Sequence, residues 1–227
     1  MSSSLFWALA AAAFLNLDRL SIGPNGLNRP LFVGLVVGLI LQEPMAGLYL
    51  GLCSEAIFLP NLPLGGVRIP NGSLALASSL AALSFWPNLP ENSFDSGLPV
   101  LVMAVIPPLA HLMSFIERFA ARWGAFASRL VNERLEAGRQ APLAWLIAAA
   151  ATIAFSLSLV FAASGAYLTW LCLKAAQSFF PPSVWEALAF IEPLLPLVCL
   201  VFLALHAPRE KFCLNVFIFS FFLYIAF

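Results

Sequence analysis

The chain has 227 residues, of which 62% are hydrophobic and only 10% charged, with 11 basic and 11 acidic side chains. Soluble domains run at roughly 45–50% apolar and about 25% charged. A chain this poor in polar groups cannot clothe a soluble surface, which excludes a disordered chain, a disulfide scaffold and an ordinary cytosolic enzyme. With a mean hydropathy of +0.94 it reads as an integral membrane protein. The balanced charge offers no overall field to nucleic acid. The four cysteines (Cys53, Cys172, Cys199, Cys213) are scattered singly through apolar runs, as small packing residues without a C-x-x-C pair.

Uncharged stretches set the elements in order. Residues 1–17 form the first, ended by Asp18 and Arg19. Their start carries no basic residue and no small-x-small cleavage site follows, so they read as a retained membrane segment and not as a signal peptide. Residues 21–28, rich in Gly, Pro and Asn, read as a loop. Residues 31–41 and 45–59 are split by Gln42, Glu43 and Pro44. Eleven helical residues reach about 16 Å against about 30 Å of hydrocarbon. A broken helix, or a pair of re-entrant half-helices buried in protein, fits better than two crossings. Residues 61–72 are dense in Pro and Gly. Residues 73–86 read as a crossing and 87–97 as an acidic loop with Glu91 and Asp95.

Residues 98–116 carry no charge and make a full span of about 28 Å despite Pro107 and Pro108. The polar connector 117–139 holds five of the eleven basic residues: Arg118, Arg122, Arg129, Arg134 and Arg139. Arginines beside spans are retained in the cytoplasm, so this connector is predicted to be cytoplasmic and the loop 87–97 external. Arg209 and Lys211 return to the inside. The arginine run reads as a solvated, lipid-facing amphipathic connector, with a docking surface for a soluble partner as the sharper alternative. Residues 140–173, again uncharged, predict one long or kinked span, and 184–206 and 212–227 complete the set. The expectation is an all-α polytopic membrane protein, a single membrane domain over 1–227. It has about six or seven membrane segments, including broken or re-entrant half-helices.

A charge inside an apolar stretch costs several kcal/mol, so it has a partner or a task. Glu55 follows Gly47, Gly51 and Ser54, and the pairs Gly34/Gly38 and Gly47/Gly51 let helix backbones approach closely. Arg68, Asn71 and Asn61 come within reach if the Pro/Gly segment folds back. Together these four supply donors and acceptors suited to a neutral, hydroxyl-rich solute, and a structural Glu55–Arg68 ion pair is the alternative. Glu192, followed by Pro193, marks either a hinge or polar cavity, or a position near the interface with Glu186. His111 and His206 lack metal-ligand spacing. No nucleotide loop, paired carboxylates or nucleophile elbow occurs in the sequence, so no catalytic residue, metal or cofactor is expected.

Residues 28–75 resemble the membrane subunit, IIC, of mannose/sorbose-type sugar phosphotransferase systems. The resemblance is carried by Arg29-Pro30-Leu31, Gly34 and Gly38, Gly47 and Gly51, Glu55, Gly65 and Pro70, in order and without a gap. It implies a permease subunit that binds and translocates a sugar in an oligomeric complex with a IID-type membrane subunit, moving by an elevator-like displacement. Phosphate then arrives through soluble IIA and IIB carriers, at the inner face of the plasma membrane. By position, Glu55 corresponds to the family's membrane carboxylate in the sugar site, and Asn71 to the aspartate of its P-D pair. The family commonly has Gly-Asp where this chain has Gln42-Glu43, and P-D where it has Pro70-Asn71. An amide still bonds a hydroxyl, but without charge assistance. The missing aspartate motivates a second reading, a non-transporting scaffold or sensor of a regulatory phosphotransfer branch.

Overall fold

The structure is a computed structural model that describes residues 3–22, 26–59, 70–84, 97–137 and 143–206. Among them all regular structure is helical, as the uncharged runs predict: nine α-helices and no strand. The sequence-predicted Asn61, Arg68, Arg139, Arg209 and Lys211, nearly all of the acidic loop, and the segment 212–227 lie outside the described residues.

Helix α1 (Ser3–Leu17) buries Leu5, Ala8, Leu9 and Ala12 against the core and runs into a single π-helical turn, Asp18–Ile22. The predicted half-helices are α2 (Pro30–Leu41) and α3 (Pro44–Phe58). At 12 and 15 residues they reach about 18 and 22 Å, and neither crosses the hydrocarbon. Each begins with a proline at its first position, where the missing N–H costs nothing. Gln42 joins them in the left-handed region at φ 65°, its N–H returned to the carbonyls of Gly38 and Leu39.

Glycine is what makes the α2–α3 pair possible. A Cβ on Gly34 would stand 2.5 Å from the Gly47 carbonyl oxygen, and one on Gly38 would stand 2.8 Å from that of Glu43. The two backbones pack directly on each other, as the small-residue spacing predicts. Helix α4 (Gly72–Leu83) sits at the centre, with eleven of its twelve residues buried. A helix buried all round belongs to the interior. It spans about 18 Å, so the described part of the stretch 73–86 is a short helix enclosed by the rest of the protein.

Around this centre stand the long elements. Helix α5 (Leu98–Met113) contains Pro107 and Pro108 and passes, after one turn residue at Ser114, into the amphipathic α6 (Phe115–Glu136). Helix α7 (Leu143–Phe179) runs 37 residues without a break and packs on α1, α4, α5 and α6. Gly165 of α7 lies so close to Met113 and Ser78 that a side chain there would collide. Helix α8 (Pro182–Ile191) meets α9 (Leu195–His206) through a 3-10 turn over Glu192–Leu194. That turn is the break Pro193 imposes, since proline cannot continue the i→i−4 ladder. Among the described residues three stretches are long and apolar enough to cross a membrane, 98–136, 143–179 and 182–205, beside the shorter apolar α2, α3 and α4.

Candidate functional site

Four helix ends meet at one end of the short-helix cluster: the C-termini of α1 and α3 and the N-termini of α2 and α4. Glu55, one turn before the end of α3, is the charge the sequence singles out there. Its Oε1 accepts from the Arg29 guanidinium at 3.1 Å, and its Oε2 accepts from the Leu31 backbone N–H at 3.3 Å. The carboxylate therefore rests against the first turn of α2, where unsatisfied N–H groups carry partial positive charge. Its side chain keeps 16% of its surface accessible, whereas that of Arg29 is 61% exposed. A Glu55–Arg68 ion pair, the alternative reading of the sequence, falls on a residue outside those described; among the described residues Glu55 pairs with Arg29 of the R-P-L motif. The signal was present in the sequence, because Arg29 immediately precedes α2 while Glu55 closes α3, and an antiparallel pair brings those ends together.

Asn71 takes a different place. It is fully buried and caps α4, its Oδ1 accepting from Leu74 N–H at 3.2 Å. Its Nδ2 donates to Asn16 Oδ1 at 2.9 Å, and Asn16 Nδ2 in turn donates to Ser158 Oγ at 2.8 Å. Its backbone N–H donates to the Ala110 carbonyl at 3.0 Å. The chain of side chains joins α4, α1 and α7 through three buried groups. Asn16 and Ser158 were not singled out by the sequence, in which each is one polar residue in an uncharged run. The choice of asparagine at 16, amid alanine, phenylalanine and leucine, is the only trace of the network there.

The cluster is closed by the segment before α2. Asp18 is buried, and its Oδ2 accepts from Leu27 N–H at 3.0 Å and Asn28 N–H at 3.3 Å. The Asn28 carbonyl then accepts from Ser73 Oγ, next to Asn71 on α4. Arg19 donates to the Pro70 carbonyl at 3.3 Å and pairs with Glu117 at the head of α6. Glu55 and Asn71 thus belong to one polar end, linked through residues 28–31 without a direct bond between them. Asn61 and Arg68 fall on the undescribed segment joining α3 to α4.

Chemically, the described residues of this end offer hydrogen-bond acceptors and donors. Each carboxylate oxygen of Glu55 has a lone pair left after its one bond, and Arg29 has further N–H groups on an exposed guanidinium. Such a carboxylate–guanidinium pair presents acceptors and donors side by side, which suits vicinal hydroxyls. Glu192 is tied differently: its backbone carbonyl accepts from Tyr49 Oη at 2.8 Å, fastening the turn between α8 and α9 to α3.

Comparison with known proteins agrees with this geometry. No curated protein matches the chain. The family described as the sorbose-specific IIC component of the phosphotransferase system matches it over residues 4–227, well beyond the 28–75 stretch that carries the motif. The short glycine-packed helices, the half-buried carboxylate and the R-P-L arginine bonded to it are therefore features of a chain that belongs to the sorbose-specific IIC family, the membrane permease subunits of sugar phosphotransferase systems.

Proposed function

We propose that the chain, as one membrane domain over 1–227, binds its sugar at the Glu55 end of the short-helix cluster. Glu55 accepts sugar hydroxyls there. The observation that carries this is the bonding of Glu55: a partly accessible carboxylate held by Arg29 and by an N-terminal amide of α2, with lone pairs to spare. Arg29 supplies donors beside it. Asn71, buried and already committed at both amide atoms, has one amide hydrogen left to contribute. Asn61 and Arg68 belong to the intervening segment and complete the candidate set.

The chain works in the plasma (inner) membrane with a IID-type membrane subunit, in an oligomeric complex. Soluble IIA and IIB carriers deliver the phosphate at the face bearing the connector 117–139, which is cytoplasmic. The arginines of that connector support this placement.

The test is uptake of labelled sugars by a reconstituted IIC–IID pair supplied with phosphoenolpyruvate and the soluble carriers, with phosphorylated sugar measured inside. Loss of a charged hydrogen bond of about 1.5–3 kcal/mol lowers apparent sugar affinity by roughly 10- to 100-fold. Glu55→Ala is expected to show that fall, Glu55→Gln a smaller one, and Arg29→Ala a fall in affinity with nearly unchanged stability. Uptake untouched by Glu55→Ala removes the residue from the site. A chain that yields no phosphorylated product with any sugar tested supports the sensor reading instead.

A further inference from the structure

The polar end uses Arg19 and Arg29, but α6 carries a set of charges that this function does not absorb. Arg118, Arg122 and Arg129 fall within about 40° of one another on the helix surface at 100° per residue. Like charges four apart repel on a helix. Among the described residues none of the three is in an ion pair. Beside this stripe runs a second one, Phe115, Phe119 and Phe126, all exposed. The Arg118 guanidinium lies 3.9 Å over the Phe115 ring, joining the two stripes at the start of the helix. The opposite face, with Ile116 and Ala120, packs on α7.

The place of α6 follows from lengths. It begins one residue after α5, whose apolar run ends at the membrane boundary. Helix α7, against which α6 lies, is 37 residues or about 55 Å long. Even at a 40° tilt it covers about 42 Å, beyond the hydrocarbon and into the headgroups. Rings exposed there belong in acyl chains, and a neighbouring row of arginines belongs at phosphates. Between α6 and the first half of α7 there is also a cavity of ≈ 200 Å³, lined by Ala120, Trp123, Gly124, Ile147, Ile153 and Leu157. Apolar cavities of about 150 Å³ already admit a molecule of benzene's size. Two buried donors beside these features, Trp123 Nε1 and Arg118 Nε, have no acceptor among the described residues. A lipid ester or phosphate oxygen is an acceptor suited to both.

We infer that α6 is a binding site for an anionic phospholipid, its phosphate held by Arg118, Arg122 and Arg129 and an acyl chain lying along the Phe115–Phe119–Phe126 stripe and into the α6–α7 cavity. The test uses the purified full chain in detergent and follows thermal unfolding with added dioleoylphosphatidylglycerol, dioleoylphosphatidylcholine or glycerol phosphate. Phosphatidylglycerol raises the midpoint by about 5 °C at saturation, and the other two do not. The rise shrinks between about 0.05 M and about 0.5 M salt, as screening requires. It disappears in the triple variant R118A/R122A/R129A and returns in R118K/R122K/R129K. The salt series on the unaltered chain stands even if the alanine variant fails to fold. Equal rises with phosphatidylcholine or glycerol phosphate overturn the inference. So does an alanine variant that keeps the lipid response while losing phosphorylation by the soluble carriers, because the stripe then docks a protein.

Discussion

At the junction of α2, α3 and α4, glycines remove side chains so that backbones touch, and Asn16, Asn71 and Ser158 are joined in one buried chain. Along α6, the three rings, Arg122 and Arg129 stand exposed, Arg118 is half-buried, and the three stripe arginines form no ion pair among the described residues. Both regions come from one chain, yet the first is completed from within and the second from outside. The interior can tolerate Glu55 and Asn71 because their bonds are supplied by helix ends and by other side chains. A peripheral helix has no such neighbours on its outer face, so its chemistry is set by what surrounds the protein. The difference teaches where mutations register: inside, as lost folding; outside, as lost response to lipid.

The largest effect is expected where backbone meets backbone. Gly47→Ala places a Cβ against the Gly34 carbonyl and costs about 1–3 kcal/mol through overpacking, and Gly47→Leu leaves no stable fold. Size-exclusion profiles and thermal unfolding in detergent check both. A Gly47→Leu chain as stable as the parent breaks the contrast, because α2 and α3 would then not be in contact. Next comes the buried network. Asn16→Leu strands Asn71 Nδ2 and Ser158 Oγ and costs about 1–3 kcal/mol. Adding Ser158→Ala recovers part of the loss, and the double-mutant cycle gives the coupling. An additive cycle shows that the two groups are not joined. The smallest effect lies at the tip between α2 and α3. Gln42 holds φ 65°, a conformation that costs a side-chain-bearing residue about 1–2 kcal/mol. Gln42→Gly relieves this and offsets it with greater freedom in the unfolded chain, for a net gain of about 0.5 kcal/mol. A midpoint lowered by the glycine shows that the tip is not strained.

Much of this was legible in the residues. The half-helix character of 31–41 and 45–59 followed from counting residues against bilayer thickness, and the glycine contacts from four-residue spacing, because length and small size are local properties. At Glu192 and Pro193 the sequence left open a hinge or polar cavity against an interfacial position, and the structure shows a 3-10 turn dividing 184–206. The central place of α4 was not legible, since an apolar run has the same composition whether it faces lipid or is buried inside the protein, and only its neighbours tell the two apart. The Asn71–Asn16–Ser158 chain was beyond the sequence, whereas the Arg29–Glu55 pair was legible only through the antiparallel order of α2 and α3. Asn71 and Asn16 lie 55 positions apart, and Asn16 and Ser158 lie 142 apart.

The sequence by itself determined that the chain is an all-helical membrane protein, that its few charges are sorted, and that a carboxylate sits among closely packed glycines. The tertiary structure decided which groups meet: Arg29 at Glu55, Asn16 at Asn71, Arg19 at Glu117. Periodicity and length act within a few turns of helix, whereas a buried polar group must find its partner wherever packing brings one.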